Sequence, residues 1–243
     1  MTTLYYGDWH GKLNVIGSAI MSAERKVLDG HEPITIVQVG DFGWGFPRFD
    51  LEKFLKKRAK NGWTVPIYTC LGNHDNWVRY DKKCKEDPES PIFEIIPGSG
   101  AFVVKRGAVI QIDGAWHAFF GGADSTDRHL RTEGIDWWVR EQPSMAEFEL
   151  LHDNINKYKV KVVVAHEAPL RMAHSRVRRK ESITACNLEK LYSLSDHQPS
   201  YHMYGHHHTC IKKKVGMTKF VCCGLHGDYF SRPGGFPKKI KRM

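Results

Sequence analysis

Residues 71–77 read Leu-Gly-Asn-His-Asp-Asn-Trp, LGNHDNW, at the end of the apolar run Val65-Pro66-Ile67-Tyr68-Thr69-Cys70-Leu71. A chain leaving a buried strand needs only a turn there, and Gly72 with Asn73 supply one. The imidazole of His74 and the carboxylate of Asp75 are more than a turn requires. Four other apolar runs end in the same kind of residue. Tyr5-Tyr6 lead into Gly7-Asp8-Trp9-His10-Gly11, and 34–39 lead into Gly40-Asp41. Residues 161–165 lead into His166, and 201–204 into Gly205-His206-His207-His208. In α/β sheets the carboxyl ends of strands open onto one crevice, where side chains distant in sequence meet.

The rest of the pattern fits that class. Apolar runs predict strands over 3–6, 34–39, 65–71, 101–104, 108–112, 116–120, 161–165, 201–204 and 218–223. Helical spacing predicts helices near 13–28, 50–60, 145–158 and 187–194. Asp50 is placed to cap the second, and Ser144 with Glu147 forms a capping-box pattern at the third. Strands alternate with helices in the first half, as in βαβ units, while 101–120 is strand after strand. The expectation is one α/β domain over 1–243 with a mixed or double sheet and a basic tail from about 232 to 243. Residues 121–143, GGADSTDRHLRTEGIDWWVREQP, read as a long surface excursion of the kind that often carries function.

Composition excludes several classes. With 41% hydrophobic and 12% aromatic residues the 243-residue chain can fill a core, so it is neither disordered nor fibrous. No apolar run of about 18 residues is present, so no membrane span is expected. The opening MTTLYYGDWHG lacks a basic segment followed by an apolar one, so no signal peptide is expected. Six cysteines form no CxxC pair, and Cys70, Cys222 and Cys223 read as buried thiols, which suits a reducing cytoplasm. A net charge of +9 favours anionic partners: phosphate esters, nucleotides or nucleic acid. Basic blocks at 174–180, 211–216 and 236–243 read as solvated surface or frayed ends.

The polar residues at the strand ends carry the chemistry. Asp8, His10, Asp41, Asn73, His166, His206 and His208 offer carboxylate, imidazole and amide oxygen, which suit manganese, iron or zinc. Seven donors are too many for one four-coordinate ion. They suit two divalent ions about 3.5–4 Å apart with a bridging carboxylate. Two such ions bring about +4 against about −2 from Asp8 and Asp41 and about −1 from a bound hydroxide, so the pocket stays attractive to phosphate.

Taken in order, GDWHG, GD, GNHD, H and GHHH resemble the signature of calcineurin-like metallophosphoesterases, and the match spans residues 7–208. The resemblance implies a two-sheet mixed β-sandwich flanked by helices, with a dinuclear metal site at the C-terminal ends of the strands. It implies that Asp8, His10, Asp41 and His208 surround one ion. Asp41, Asn73, His166 and His206 would surround the other, with Asp41 bridging. Manganese is the first choice, with iron, zinc or nickel as alternatives. Paired ions lower the pKa of water toward 7 and supply a bridging hydroxide that attacks phosphorus. His74, in the motif but not among its ligands, is expected to protonate the leaving oxygen. Asp75 is expected to accept a hydrogen bond from its other nitrogen and set the tautomer.

The departures matter as much. Protein phosphatases of this superfamily continue the second motif as GDxVDRG, whereas this chain has Gly40-Asp41-Phe42-Gly43-Trp44-Gly45 and no arginine there. Their third motif ends in Glu, and this one ends in Asp75. A serine/threonine protein phosphatase is therefore an alternative behind a small phosphomonoesterase or phosphodiesterase, for which a nucleotide is one candidate substrate. A DNA or RNA nuclease is a second alternative, resting on the basic charge. A non-catalytic metal-binding scaffold is a third, and the intact Asn73-His74-Asp75 argues against it. Trp9, Phe42 and Trp44 beside the motifs are candidates to stack on a ring of the substrate, against plain packing. Arg128, His129 and Arg131 in the excursion are candidates to grip substrate, Arg171 to line the rim, and Trp137-Trp138 to anchor the loop. His31, His117, His152, His174, His197, His202 and His226 read as surface or packing residues. His207 is expected to point away from its neighbours, because strand residues alternate faces.

Overall fold

The computed structural model describes residues 2–46, 50–172, 182–225, 228–231 and 238–239. With strands numbered in chain order, the described residues form two sheets. The first has the order β13 (Lys238–Lys239), β12 (Asp228–Ser231), β1 (Thr2–Tyr6), β2 (Ile34–Gln38), β3 (Ile67–Thr69), β5 (Ala101–Val104), β4 (Ile92–Glu94). The second runs β10 (Lys212–Val215), β11 (Thr218–Cys222), β9 (Tyr201–Tyr204), β8 (Val162–Ala165), β7 (Ala115–Phe120), β6 (Val109–Ile112). β1, β2, β3 and β5 are parallel in the first sheet, and β7, β8, β9 and β11 in the second. Each sheet thus turns a row of strand C-termini toward one edge, and all five motifs follow β1, β2, β3, β8 and β9.

Period-two alternation explains the layers. In β1 and β2, Leu4, Tyr6, Ile34 and Ile36 pack on α1 (Leu13–Leu28), α2 (Leu51–Lys60) and α3 (Trp77–Glu86) through Ile16, Ile20, Leu55 and Trp77. In β7 and β8, Ala118, Phe120, Val163 and Ala165 pack on α4 (Met145–Tyr158) and α5 (Ile183–Leu194) through Phe148, Leu151 and Leu188. The intervening residues Tyr5, Val37, Phe119, Val164 and Met203 fill the space between the sheets. The result is helix, sheet, sheet, helix, the two mixed sheets flanked by helices that the sequence predicts.

The caps agree with the sequence. Asp50 accepts from Lys53 N at 2.9 Å, and Ser144 with Glu147 completes its capping box. α5 begins earlier than its apolar spacing suggests, because Ser182 Oγ accepts from Ala185 N at 3.1 Å and caps it. α3 has no counterpart among the predicted helices. It buries only Trp77 and Tyr80 among ten residues, too short a stripe to read, and Asn76 caps it by accepting from Arg79 N. The short β4, β10, β12 and β13 are likewise additions to the predicted strands. Residues 121–143 are irregular apart from 3-10 turns at Arg128–Leu130 and Val139–Glu141. They are tied down from beneath: buried Arg106 donates to the carbonyls of Gly121, Arg140 and Glu141, and Trp138 joins the core.

Lys212, Lys213 and Lys214 of the 211–216 block are exposed on an edge strand, where lysines discourage strand addition. The 174–180 block, His174 and His226 lie outside the described residues, as does most of the tail. All six cysteines are free, and Cys70, Cys222 and Cys223 are buried. Among the described residues no helix is long and apolar enough to cross a membrane.

Candidate metal centre

The strand ends are built for close approach. A Cβ on Gly205 would stand 2.1 Å from Asp8 Oδ1, and one on Gly72 would stand 2.0 Å from Asp41 Oδ1. Glycine at these two places lets the backbone press against each carboxylate. His206 N donates to Asp8 Oδ1 at 3.2 Å, and His74 N donates to Asp41 Oδ1 at 3.0 Å. Four of the motif residues hold left-handed backbone: His10 (φ 46°), Asp41 (φ 56°), His206 (φ 61°) and His208 (φ 52°). Among the other described non-glycine residues only Asp113 and Lys159 do so. Each such residue costs on the order of 1–3 kcal/mol, so the concentration here reflects side chains aimed at a common point.

The seven sequence-predicted ligands converge. Ligand atoms of Asp8, His10 and His208 lie within 4.8 Å of one another, as do those of Asp8, Asp41 and His166. Asn73 Oδ1 is 3.0 Å from His166 Nε2, and the His206 ring lies 5.2 Å from the His166 ring between centroids. His10, Asp41 and His74 form a third group within the same 4.8 Å, so His74 stands at the ligand cluster itself.

Hydrogen bonding shows what the cluster lacks. His166 Nδ1 lies 2.9 Å from the Val39 carbonyl, which can only accept, so Nδ1 carries a proton and Nε2 is turned to Asn73 Oδ1 at 3.0 Å and Asp41 Oδ2 at 3.4 Å. Asn73 Nδ2 donates to Ser125 Oγ at 2.9 Å, and that hydroxyl donates to Glu141 Oε2 at 2.7 Å. The chain of bonds turns Asn73 Oδ1 toward His166 Nε2. His10 Nε2 and His208 Nε2 meet at 2.9 Å. Asp8 Oδ2 and His206 Nε2 are buried with no hydrogen-bond partner. Orphaned buried acceptors are costly unless a cation meets them, and the ligand set suits a borderline divalent ion.

Electrostatics lead the same way. Burial pushes Asp8 up to about 8, with Asp41 adding repulsion against the attraction of His166. Burial also opposes the charge on Asp41, but the charges of His166 and His74 outweigh it and hold Asp41 well below the carboxylate range. His166 is held up to about 10: burial disfavours its charge, and Asp41 and Asp8 overcome that. The two carboxylates therefore demand a positive charge between them. Burial lowers His10 to about 4 and His206 to about 3, so both rings are neutral at neutral pH.

Several expectations need correction. Asp75 does not orient His74. Its Oδ1 accepts from Gly43 N (2.8 Å) and Trp44 N (2.9 Å), and its Oδ2 from Gly72 N (2.8 Å) and Phe42 N (3.2 Å). Four backbone donors consume the carboxylate, while His74 Nδ1 is buried without a partner. Trp9, Phe42 and Trp44 are not available to stack on substrate, because all three are buried in the core beside α1 and α2. Arg131 is committed: Nε and Nη2 grip both oxygens of Asp127 at 2.8 and 2.7 Å, and Nη1 donates to Asp136 O. Arg128 is exposed on its 3-10 turn, and Arg171 pairs with Glu189 on the surface. His207 lies beyond the end of β9, in a turn, and bonds Glu167 Oε1 at 2.8 Å.

Three supports lie beyond the sequence reading. Glu167 is fully buried beside His166, and its carboxylate holds His207 and approaches His206 Nε2 at 3.8 Å. An acid following a ligand inside HEAP is its one visible sign. The Ser125–Glu141 relay behind Asn73 has none, since it crosses from the excursion. Phe46 is half-buried against His10 and His74, and a phenylalanine in a glycine-rich loop gives no warning of that.

A family model described as calcineurin-like phosphoesterase matches residues 1–210. No curated protein sequence matches the chain. Among solved structures, the protein TT1561 of Thermus thermophilus is similar with a TM-score of 0.60 at 13% identity, over 94% of this chain and 92% of that one. A protein named "Putative 5'-Nucleotidase" from Staphylococcus aureus is similar with a TM-score of 0.55 at 16% identity. That likeness covers 99% of this chain and 53% of the other. At these identities the likeness is one of fold.

Proposed function

The chain belongs to the calcineurin-like phosphoesterase family, and on that premise we propose that it hydrolyses small phosphomonoesters or phosphodiesters, with nucleotides a candidate substrate, at a two-cation centre. Asp8, His10, Asp41 and His208 would hold one ion, and Asp41, Asn73, His166 and His206 the other. The observation that carries the proposal is the convergence of ligand atoms, those of Asp8, His10 and His208 and those of Asp8, Asp41 and His166 each lying within 4.8 Å of one another. When bound, the ions supply an activated water and neutralise charge on the phosphoryl oxygens.

The protein's own groups divide the remaining work. Val39 O fixes the His166 tautomer, and the Ser125–Glu141 relay fixes the Asn73 amide, so both ligands are set before anything binds. His74 is the group to move a proton. Asn73 Nδ2 approaches His74 Nε2 at 3.3 Å as a donor, which leaves the proton on Nδ1. That Nδ1–H is unpartnered and faces the leaving oxygen in this reading; to give up a proton there the ring must first be the imidazolium, with a second proton taken up at Nε2. Burial lowers the His74 pKa, against a raising pull from Asp41, and an anionic phosphoryl oxygen alongside raises it further.

An assay with Mn²⁺ tests the reading, comparing a nitrophenyl monoester, a bis-nitrophenyl diester, cyclic nucleotides and single-stranded DNA. Turnover of a small ester that a chelator removes is the expected result. Metal binding without hydrolysis of any ester would replace it with the scaffold. Faster, steeply salt-dependent cleavage of DNA would replace it with the nuclease.

A further inference from the structure

The stretch Phe42–Phe46 is a rigid strut. Asp75 fixes the backbone N–H groups of Phe42, Gly43 and Trp44. Asn76 N donates to Trp44 O at 2.9 Å, and Phe46 N donates to Gly43 O at 3.2 Å. Gly43 lies so close to Gly11 that an added Cβ would stand 2.3 Å from its backbone. The strut ends in Phe46, whose ring centroid is 6.4 Å from that of His10 and 6.0 Å from that of His74. The two imidazoles are themselves 5.5 Å apart, so three rings form a triangle. Phe46 is the phenylalanine whose ring meets both the His10 and the His74 ring.

We infer that Phe46 is the specificity-determining wall of the leaving-group side, selecting phosphate esters that carry a planar ring there. This rests on the reading that phosphorus is attacked at the metal cluster with His74 facing the leaving oxygen. A group within proton-transfer reach of His74 is then within reach of Phe46, since the two rings are in edge contact. The strut offers that group a hydrocarbon face and no charge. Arg131, whose charge reaches His74, is closed off by Asp127. Asp75 is the positioning residue that keeps Phe46 in place.

Calorimetry on the Mn²⁺-loaded protein tests this without turnover. The probes are phenylphosphonate and methylphosphonate, with adenosine 5′-monophosphate and ribose 5-phosphate as a second pair. Phe46→Ala should cut the phenyl-to-methyl affinity ratio by about three- to tenfold, the worth of one ring contact. Phe46→Leu should fall between, and Phe46→Tyr should restore the ratio. A matching fall in the second pair shows that a nucleobase reaches the wall. A fall in the first pair alone shows a ring borne directly on the ester oxygen. Equal ratios in parent and Phe46→Ala for both pairs overturn the inference, as does failure of the parent to bind either phosphonate. Because binding is read apart from catalysis, an inactive enzyme that still prefers phenylphosphonate sinks the hydrolytic reading and spares this one.

Discussion

Two of the clusters that bury charge in this molecule treat it in opposite ways. Around Arg106 each guanidinium nitrogen finds an acceptor. Nε meets Gly121 O at 2.8 Å, Nη1 meets Glu147 Oε2 at 3.3 Å, and Nη2 meets Arg140 O and Glu141 O. The Trp77 ring covers the plane at 3.8 Å. Around Asp8 and Asp41, by contrast, Asp8 Oδ2, His74 Nδ1 and His206 Nε2 are buried without a hydrogen-bond partner. An unpartnered buried polar atom costs about 1–3 kcal/mol. A cluster closed on itself serves the fold, whereas one left open is offset elsewhere and waits for something else to complete it.

The contrast predicts opposite responses to losing one charge. Asp41→Asn in the open cluster should lower turnover by about 10³-fold or more, the scale of removing a strong transition-state contact. The metal-free mutant should lose less stability than a broken buried pair does, because burial opposes the Asp41 charge and offsets part of what His166 and His74 give it. Arg106→Met in the closed cluster should do the reverse. It should cost about 3–5 kcal/mol in urea unfolding, as breaking a buried pair does. A metal-free Asp41→Asn protein that loses as much stability as Arg106→Met would erase the distinction.

The same contrast marks what is legible in the sequence. Ligands are read from local pattern: an apolar run, a glycine, then Asp, Asn or His. All seven residues so read do converge, because parallel strands bring their C-termini to one edge. The supports are not local. Glu141 acts on Asn73 across 68 positions through Ser125, counting 141 − 73, and Arg106 reaches Glu147 across a separation of 41. Pairing of that range leaves no periodicity to read. Asp75 misleads for a related reason. Next to His74 in sequence it resembles an imidazole's partner, but the turn points it down to four backbone donors. Trp9 and Trp44 stand beside motifs and invite an exposed reading, yet the strut folds them into the core. The left-handed backbone of His10, Asp41, His206 and His208 is equally invisible in sequence, since only geometry reveals it.

Metal addition sharpens the comparison at smaller scale. Mn²⁺ at about a hundred times its dissociation constant should stabilise the parent by about 2.7 kcal/mol, because the ion binds only the folded state. Asp8→Asn should abolish most of that gain while keeping the metal-free melting temperature, and Arg106→Met, where it folds at all, should keep the gain. A shared loss of metal response would mean that the two clusters are coupled rather than independent.

The weakest expected effect lies in pH. Glu147 is held down to about 2: burial opposes its charge, but the hydrogen bond from Arg140 and the charge of Arg106 prevail. A carboxylate with a depressed folded pKa contributes stability that is fully present above its unfolded value, near 4.5 here, and lost as pH falls toward about 2. Glu147→Gln never has that contribution. The parent should therefore be the more stable protein near neutral pH, and the two urea-unfolding curves should draw together as pH falls through that window. A constant gap down to acid pH would show that Glu147 acts through its bonds to Ser144 at the start of α4 rather than through its charge. In that case the Arg106 cluster would be closed by carbonyls alone, and Arg106→Met should cost less than a broken ion pair does.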